Sequence, residues 1–145
     1  MKPVWVGFLV ALVAAACSAA ASEPGGEPAD DVVLRIVVGG EVARDWTLAD
    51  LQADVPFSEV EVEGDIQTGP TLLAAIAASG VDDWDTAEIV GMSEGRVLEV
   101  SLAVRAADVD DSWILDISNR GTLKLAAAGL ERQRWVRDVG EIRFP

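Results

Sequence analysis

Histidine is absent from this chain, and cysteine occurs once, at Cys17. These two facts remove the commonest transition-metal ligands and the usual general base of nucleophilic catalysis. A lone cysteine also excludes an intramolecular disulfide. The groups left for chemistry are carboxylates, guanidinium groups and ammonium groups: 25 Asp and Glu against 11 Lys and Arg, a formal net charge of −14. Asp82 to Asp85 (DDWD) and Asp108 to Asp111 (DVDD) cluster carboxylates as a hard cation such as calcium prefers. Neither has the loop spacing of an EF-hand or a glycine at the bend, and acidic turns are usually just solvated. With so many Asp and Glu, spacing singles out no carboxylate pair for hydrolysis, so no catalytic residue is assigned. The charge is unevenly placed. Between Glu41 and Asp116 acidic residues far outnumber Arg44, Arg96 and Arg105, whereas from Arg120 onward Lys and Arg prevail over Glu131, Asp138 and Glu141. That last third is a candidate anion site, set against plain surface solvation. Trp46, Trp84, Trp113 and Trp135 read as core or half-buried anchors; Trp84, among three aspartates, is the one expected to be exposed and to mark a contact surface.

The elements that must position these groups follow from apolar periodicity. Val32 to Val38 reads as a strand with Val32, Leu34, Ile36 and Val38 on one face, and Gly39-Gly40 turns it into a return strand over Glu41 to Trp46. Thr47 and Asp50 have capping-box spacing and open a short helix over Leu48 to Ala53, ended by Pro56. Phe57 to Glu63 alternates as a strand with one wet side, and Gly64 to Gln67 reads as a loop. Pro70 suits a first helical turn, Leu72, Leu73, Ile76 and Ala77 form an apolar stripe, and Gly80 with Val81 is a left-handed C-cap signal. Ala87 to Met92 and Val97 to Leu102 flank a hairpin signal at Ser93 to Arg96, with Leu98, Val100 and Leu102 expected on the buried face. Ser101 is placed as the cap of a short helix through Ala107. Strands are predicted at Trp113 to Ile117 and Thr122 to Leu125, with a closing segment over Trp135 to Phe144. The order describes a strand-dominated, mixed-sheet α+β domain with one main helix and short helices.

Residues 1–31 carry a different kind of information. Lys2 is a minimal charged start, and Val4 to Ala16 is an apolar run too short to cross a bilayer as a helix. Ala14, Ala15 and Ala16 lead into Cys17, a pattern that resembles a bacterial lipobox with Ala14 where Leu is usual. The resemblance implies a signal peptide over 1–16 and lipidation of Cys17; the competing reading is a plain secretory cleavage within Ser18 to Ala21. Ser22 to Asp31 is rich in Pro, Gly, Glu and Asp without apolar periodicity, so 17–31 reads as a lipidated cysteine and a disordered acidic linker, and 32–145 as the domain. Strong acidity argues against nucleic acid as a partner. The expected location is the outer face of the cell membrane or the periplasmic side of an outer membrane.

Several phrases of the domain, in order, resemble the molybdopterin-binding domain of the sulfite oxidase family. They are Trp46 to Leu51 (WTLADL), Thr68 to Ile76 (TGPTLLAAI) with Ala78 to Val81 (ASGV), and Arg134 to Arg137 (RWVR) ending in Glu141 to Phe144 (EIRF). The resemblance implies that fold in shortened form. It also implies that the closing segment lies near a cofactor, which makes Arg134 and Arg137 the candidate anion contacts, with Lys124 and Arg132 adding charge nearby. The alternative places both arginines on the wet side of an edge strand, paired with carboxylates.

The departures decide the functional expectation. Family enzymes bind molybdenum through a cysteine after the strand that follows the early helix, and here that stretch is Val60 to Asp65 (VEVEGD), with no cysteine; the long insertion that wraps the cofactor is missing as well. The expectation is therefore a non-catalytic, membrane-anchored, extracytoplasmic binding or accessory module without a bound cofactor. Its partners would be membrane lipid through Cys17 and a small anionic ligand or a partner protein. The alternative is a component of a molybdopterin-dependent oxidoreductase system that binds a pterin or another redox cofactor without a cysteine ligand. A third reading is a small envelope protein whose acidic surface keeps it in solution on its tether.

Overall fold

In the computed structural model the described residues are 31–93 and 98–145, so the signal segment, Cys17, the linker up to residue 30 and the expected turn at 94–96 lie outside them. Among the described residues nine strands and two α-helices follow in the order β1 (Val32–Val38), β2 (Glu41–Thr47), α1 (Leu48–Asp54), β3 (Phe57–Val62), β4 (Asp65–Pro70), α2 (Leu72–Ala78), β5 (Thr86–Met92), β6 (Glu99–Arg105), β7 (Ile114–Ile117), β8 (Leu123–Ala126) and β9 (Arg137–Phe144). Short 3₁₀ turns occupy Ala106–Asp108 and Arg132–Arg134. The strand-dominated, mixed-sheet α+β class expected from the sequence is what the chain adopts.

The main sheet runs β2-β1-β9-β5-β6. Its spine is β9, which pairs in parallel with β1 from Glu141 to Phe144 and antiparallel with β5. The β7–β8 hairpin joins the same spine at Leu123 and Val139. Leu34, Ile36, Ile89 and Ile142 are fully buried, so the apolar alternation of three strands meets in one core. Removing each such side chain from water contributes roughly 1.5–3 kcal/mol. Because β9 is flanked on both sides, Arg137 does not stand on an edge strand.

The helix signals translate directly. Thr47 Oγ1 accepts from the Asp50 amide at 3.1 Å and the Asp50 carboxylate accepts from the Thr47 amide at 3.4 Å, completing the capping box of α1. Gly80, with φ of 81°, closes α2: its amide donates to Ala77 O and the Val81 amide to Ile76 O. Leu72, Ala75 and Ile76 bury the inner face of α2, and Ser79 Oγ accepts from Trp46 Nε1 at 2.8 Å, tying α2 to β2.

Three expectations are corrected. Asp65 to Gln67, expected in a loop from Gly64, begin β4 instead, because Asp65 to Pro70 pair in register with β3 and press onto β7. At Gly69 the approach is so close that a Cβ would lie 2.0 Å from Leu115 O. Pro70 accordingly ends a strand and the helix begins after the Thr71 cap. No helix starts at Ser101: pairing of Thr86 with Arg105 carries β6 through to Arg105, and only a 3₁₀ turn follows. Along β6 Val100 and Leu102 face the core as expected, half-buried beside the buried Val104, but Leu98 is 65% exposed, since β6 has a neighbour on one side only.

Candidate functional site

Arg120, Lys124 and Arg137 gather at the turn end of the β7–β8 hairpin. Asp116 on β7 and Lys124 on β8 are directly opposite each other, and their side chains form an ion pair at 3.1 Å, both largely shielded. The second Asp116 oxygen accepts from the Thr68 amide of β4 at 2.9 Å, so this carboxylate is held from two elements. The turn beyond is fastened by Ser118 N to Thr122 O and by the Ser118 and Thr122 hydroxyls, 2.8 Å apart.

Facing this hairpin, β9 begins irregularly. Between the pairs Val90–Glu141 and Met92–Arg137 it carries more residues than β5, a bulge that holds Asp138 at φ of 45°, in the left-handed region unusual for a side chain with a Cβ. Gly91 of β5 makes room for it: a Cβ there would lie 2.4 Å from Arg137 O and 2.6 Å from Val136 Cγ1. The bulge turns Arg137 and Asp138 toward the hairpin, and Asp138 Oδ1 accepts from Arg120 Nη2 at 3.0 Å.

Asp116, Ser118, Thr122, Lys124, Arg137 and Asp138, with Ile117 and Asn119, line a polar cavity of about 380 Å³. Two cations, two carboxylates and two hydroxyls thus surround one opening, on a chain of net charge −14. Beside it the buried Trp135 ring lies 5.6 Å from Lys124 Nζ and 5.1 Å from the Arg132 guanidinium. Arg132 in turn pairs with Asp65 at 2.7 Å and Glu63 at 3.5 Å, fastening the β3–β4 hairpin to the same corner. Such a constellation can receive an anionic group on its cations and hydroxyl groups on its carboxylates.

Arg134 goes elsewhere. It closes the Arg132–Arg134 turn and lines a separate, open cavity of about 510 Å³ with Arg105, Asp108, Asp110, Trp113 and Leu130. The two arginines that the resemblance brought together therefore serve different concavities. Of residues 64–68, only the Thr68 amide reaches the Arg137 cavity, through Asp116. The acidic turns gather no metal set: among the described residues no three of His, Cys, Asp and Glu converge. Trp84 is not the exposed aromatic of the DDWD turn; it packs edge-on against Phe144 with ring centres 5.5 Å apart. Asp116, Asp138 and Arg120 were not singled out from sequence. The signal available was an acidic and a basic residue equidistant from the Ser118 to Thr122 turn, which places them opposite each other across a hairpin.

Compared with protein-family models, with curated proteins and with solved structures, the chain matches none.

Proposed function

We propose that this chain is a non-catalytic binding module, lipid-anchored through Cys17 outside the cytoplasm and built on a shortened molybdopterin-binding-like fold. It holds a small polar ligand with an anionic group between Lys124 and Arg137. The observation that carries the reading is the polar cavity at the β9 bulge, where strained backbone and a glycine-cradled approach are maintained to bring Arg137 to Lys124, Ser118 and Thr122. Backbone kept in a costly conformation beside a concave polar surface is characteristic of sites that bind.

The residues present do not fit a molybdenum pterin. Val60 to Asp65, where the family places its thiolate, is instead the end of β3, a tight turn with Glu63 and Gly64 at positive φ, and the start of β4, and it contains no sulfur. With Arg134 and Arg137 in separate cavities, no paired arginine clamp is available to the pterin phosphate. The Ser118 and Thr122 hydroxyls bond each other with no imidazole nearby, which leaves neither activated as a nucleophile.

The test is calorimetric titration of the full chain with inorganic phosphate, sulfate and small carboxylates. At least one should bind, and Lys124→Ala or Arg137→Ala should weaken it about tenfold to a hundredfold, as loss of a charge-assisted hydrogen bond does. Stoichiometric molybdenum in the purified protein would overturn the proposal, as would binding untouched by either substitution. Cys17→Ala should move the protein from the membrane to the soluble fraction of an expressing cell.

A further inference from the structure

The two edges of the main sheet are built differently. β2 carries Glu41, Arg44 and Asp45, and its pairing with β1 shifts register twice. Charges and bulges of this kind keep an edge from pairing with another chain. β6 (EVSLAVR) has neither device: it pairs with β5 without a register shift over seven residues, and its middle five are uncharged and free of proline.

The direction of its backbone groups follows from two bonds at its ends. Ser93 N donates to Leu98 O and Ala106 N donates to Asp85 O, both in the same register as the Thr86–Arg105 pair. Even-numbered residues of β6 therefore turn their amides and carbonyls to β5, and Glu99, Ser101, Ala103 and Arg105 turn theirs away from the sheet. Among the described residues the outward groups of Glu99, Ser101 and Ala103 have no other hydrogen bond, and at Arg105 the amide stays outward while the carbonyl opens the 3₁₀ turn Ala106–Asp108. Beside them Val100 and Leu102 are only half covered.

We infer that β6 pairs antiparallel with β6 of a second copy about a two-fold axis at Leu102, joining the two sheets into one. In that register the outward-bonding residues meet each other: Ser101 stands opposite Ala103 of the second copy and Glu99 opposite Arg105. Val100 faces Val104, and Leu102 faces itself. Sliding by two residues either way sets Glu99 against Ala103 or Ser101 against Arg105, and both charge pairs are lost. Arg105 can serve a second carboxylate, because Asp108 engages its Nε and Nη2 while the group remains 71% exposed and Nη1 is unused. The cavity of about 510 Å³ alongside Leu102 to Arg105 has Trp113, Ala128 and Leu130 in its wall, which gives Val100 of the incoming strand an apolar seat. A contact of one strand pair is small, so the dimer is of the weak, reversible class.

The test uses the full chain, solubilised in mild detergent, with the unsubstituted protein and its sole Cys17 as baseline. Leu102→Cys should form a disulfide-linked dimer on mild oxidation, since residues facing each other in a non-hydrogen-bonded pair have Cα atoms about 4.5 Å apart. Val42→Cys on the β2 edge should stay at baseline. Ala103→Pro removes an outward amide and no bond to β5, so it should abolish the cross-link of Leu102→Cys while leaving the circular dichroism unchanged. Glu99→Arg and Arg105→Glu should each reduce cross-linking about tenfold by opposing like charges, and the two together should restore it. Baseline cross-linking at position 102, failure of the double exchange to restore pairing, or a different polypeptide occupying the β6 edge in place of the second copy would each overturn the inference.

Discussion

At Gly69 the β4 backbone runs against the Leu115 carbonyl with no space for even one methyl group. This contact lets β4 reach Asp116 with its Thr68 amide, so it supports both packing and the site. Gly69→Ala should destabilise the fold by about 2–3 kcal/mol through overpacking against backbone, read from the urea midpoint of the full chain. A second residue-scale prediction concerns Asp110, whose carboxylate accepts from the hydroxyl and amide of Ser112. Those bonds favour the charged form and hold its pKa below the ordinary carboxylate value. The stabilisation is therefore complete above the ordinary value and is lost as pH falls through the lowered one. Ser112→Ala should raise the Asp110 titration midpoint toward that of an unperturbed carboxylate, as followed by side-chain carboxyl NMR.

Among the elements, the helices are fixed by local chemistry and were legible for that reason. Thr47 with Asp50 and Gly80 with Val81 act within a few residues of chain, so their types and spacing carry the whole signal. Thr71 belongs with them: its hydroxyl accepts from the Ala74 amide at 3.1 Å while its backbone bridges to Ile114. Thr71→Ala should cost about 1 kcal/mol of stability, measured by chemical denaturation, and Thr71→Ser much less. The strand-to-strand geometry was less legible. Asp65 to Pro70 has no apolar alternation, and it is a strand only because β3 and β7 lie on either side of it. The end of β6 was likewise decided by β5 rather than by Ser101. The site shows the same division. Lys124 and Arg137 were recoverable from the excess of basic residues after Arg120, but the placing of Arg137 beside Lys124, apart from Arg134, involves a bulge matched to a distant Gly91. No property of residues 134 to 137 alone encodes that match.

For the molecule as a whole, the distribution of charge matters more than its sum. Most basic side chains are engaged by carboxylates: Arg35 with Asp45, Arg120 with Asp138, Lys124 with Asp116, Arg132 with Asp65, and Arg143 with Glu88 and Glu141. The remaining acidic groups, in a chain of net charge −14, repel one another across the surface. Exposed pairs contribute little individually, whereas the repulsion is summed over the whole surface and is screened by salt. Raising sodium chloride from about 0.02 M to about 0.5 M should therefore increase the melting temperature by a few degrees, as measured by scanning calorimetry. A fall would mean that the ion pairs outweigh the repulsion.

The parallel pairing of β1 with β9 has a consequence for biosynthesis. The first strand of the domain finds its central neighbour only when Arg137 to Phe144 has been made, and β5 waits for the same segment. A nascent chain interrupted before that point has two halves of a sheet and nothing to insert between them. Folding is consequently deferred until after most of the polypeptide exists, and contacts so far apart in sequence form slowly. An unfolded interval of that length is when the chain depends most on chaperones.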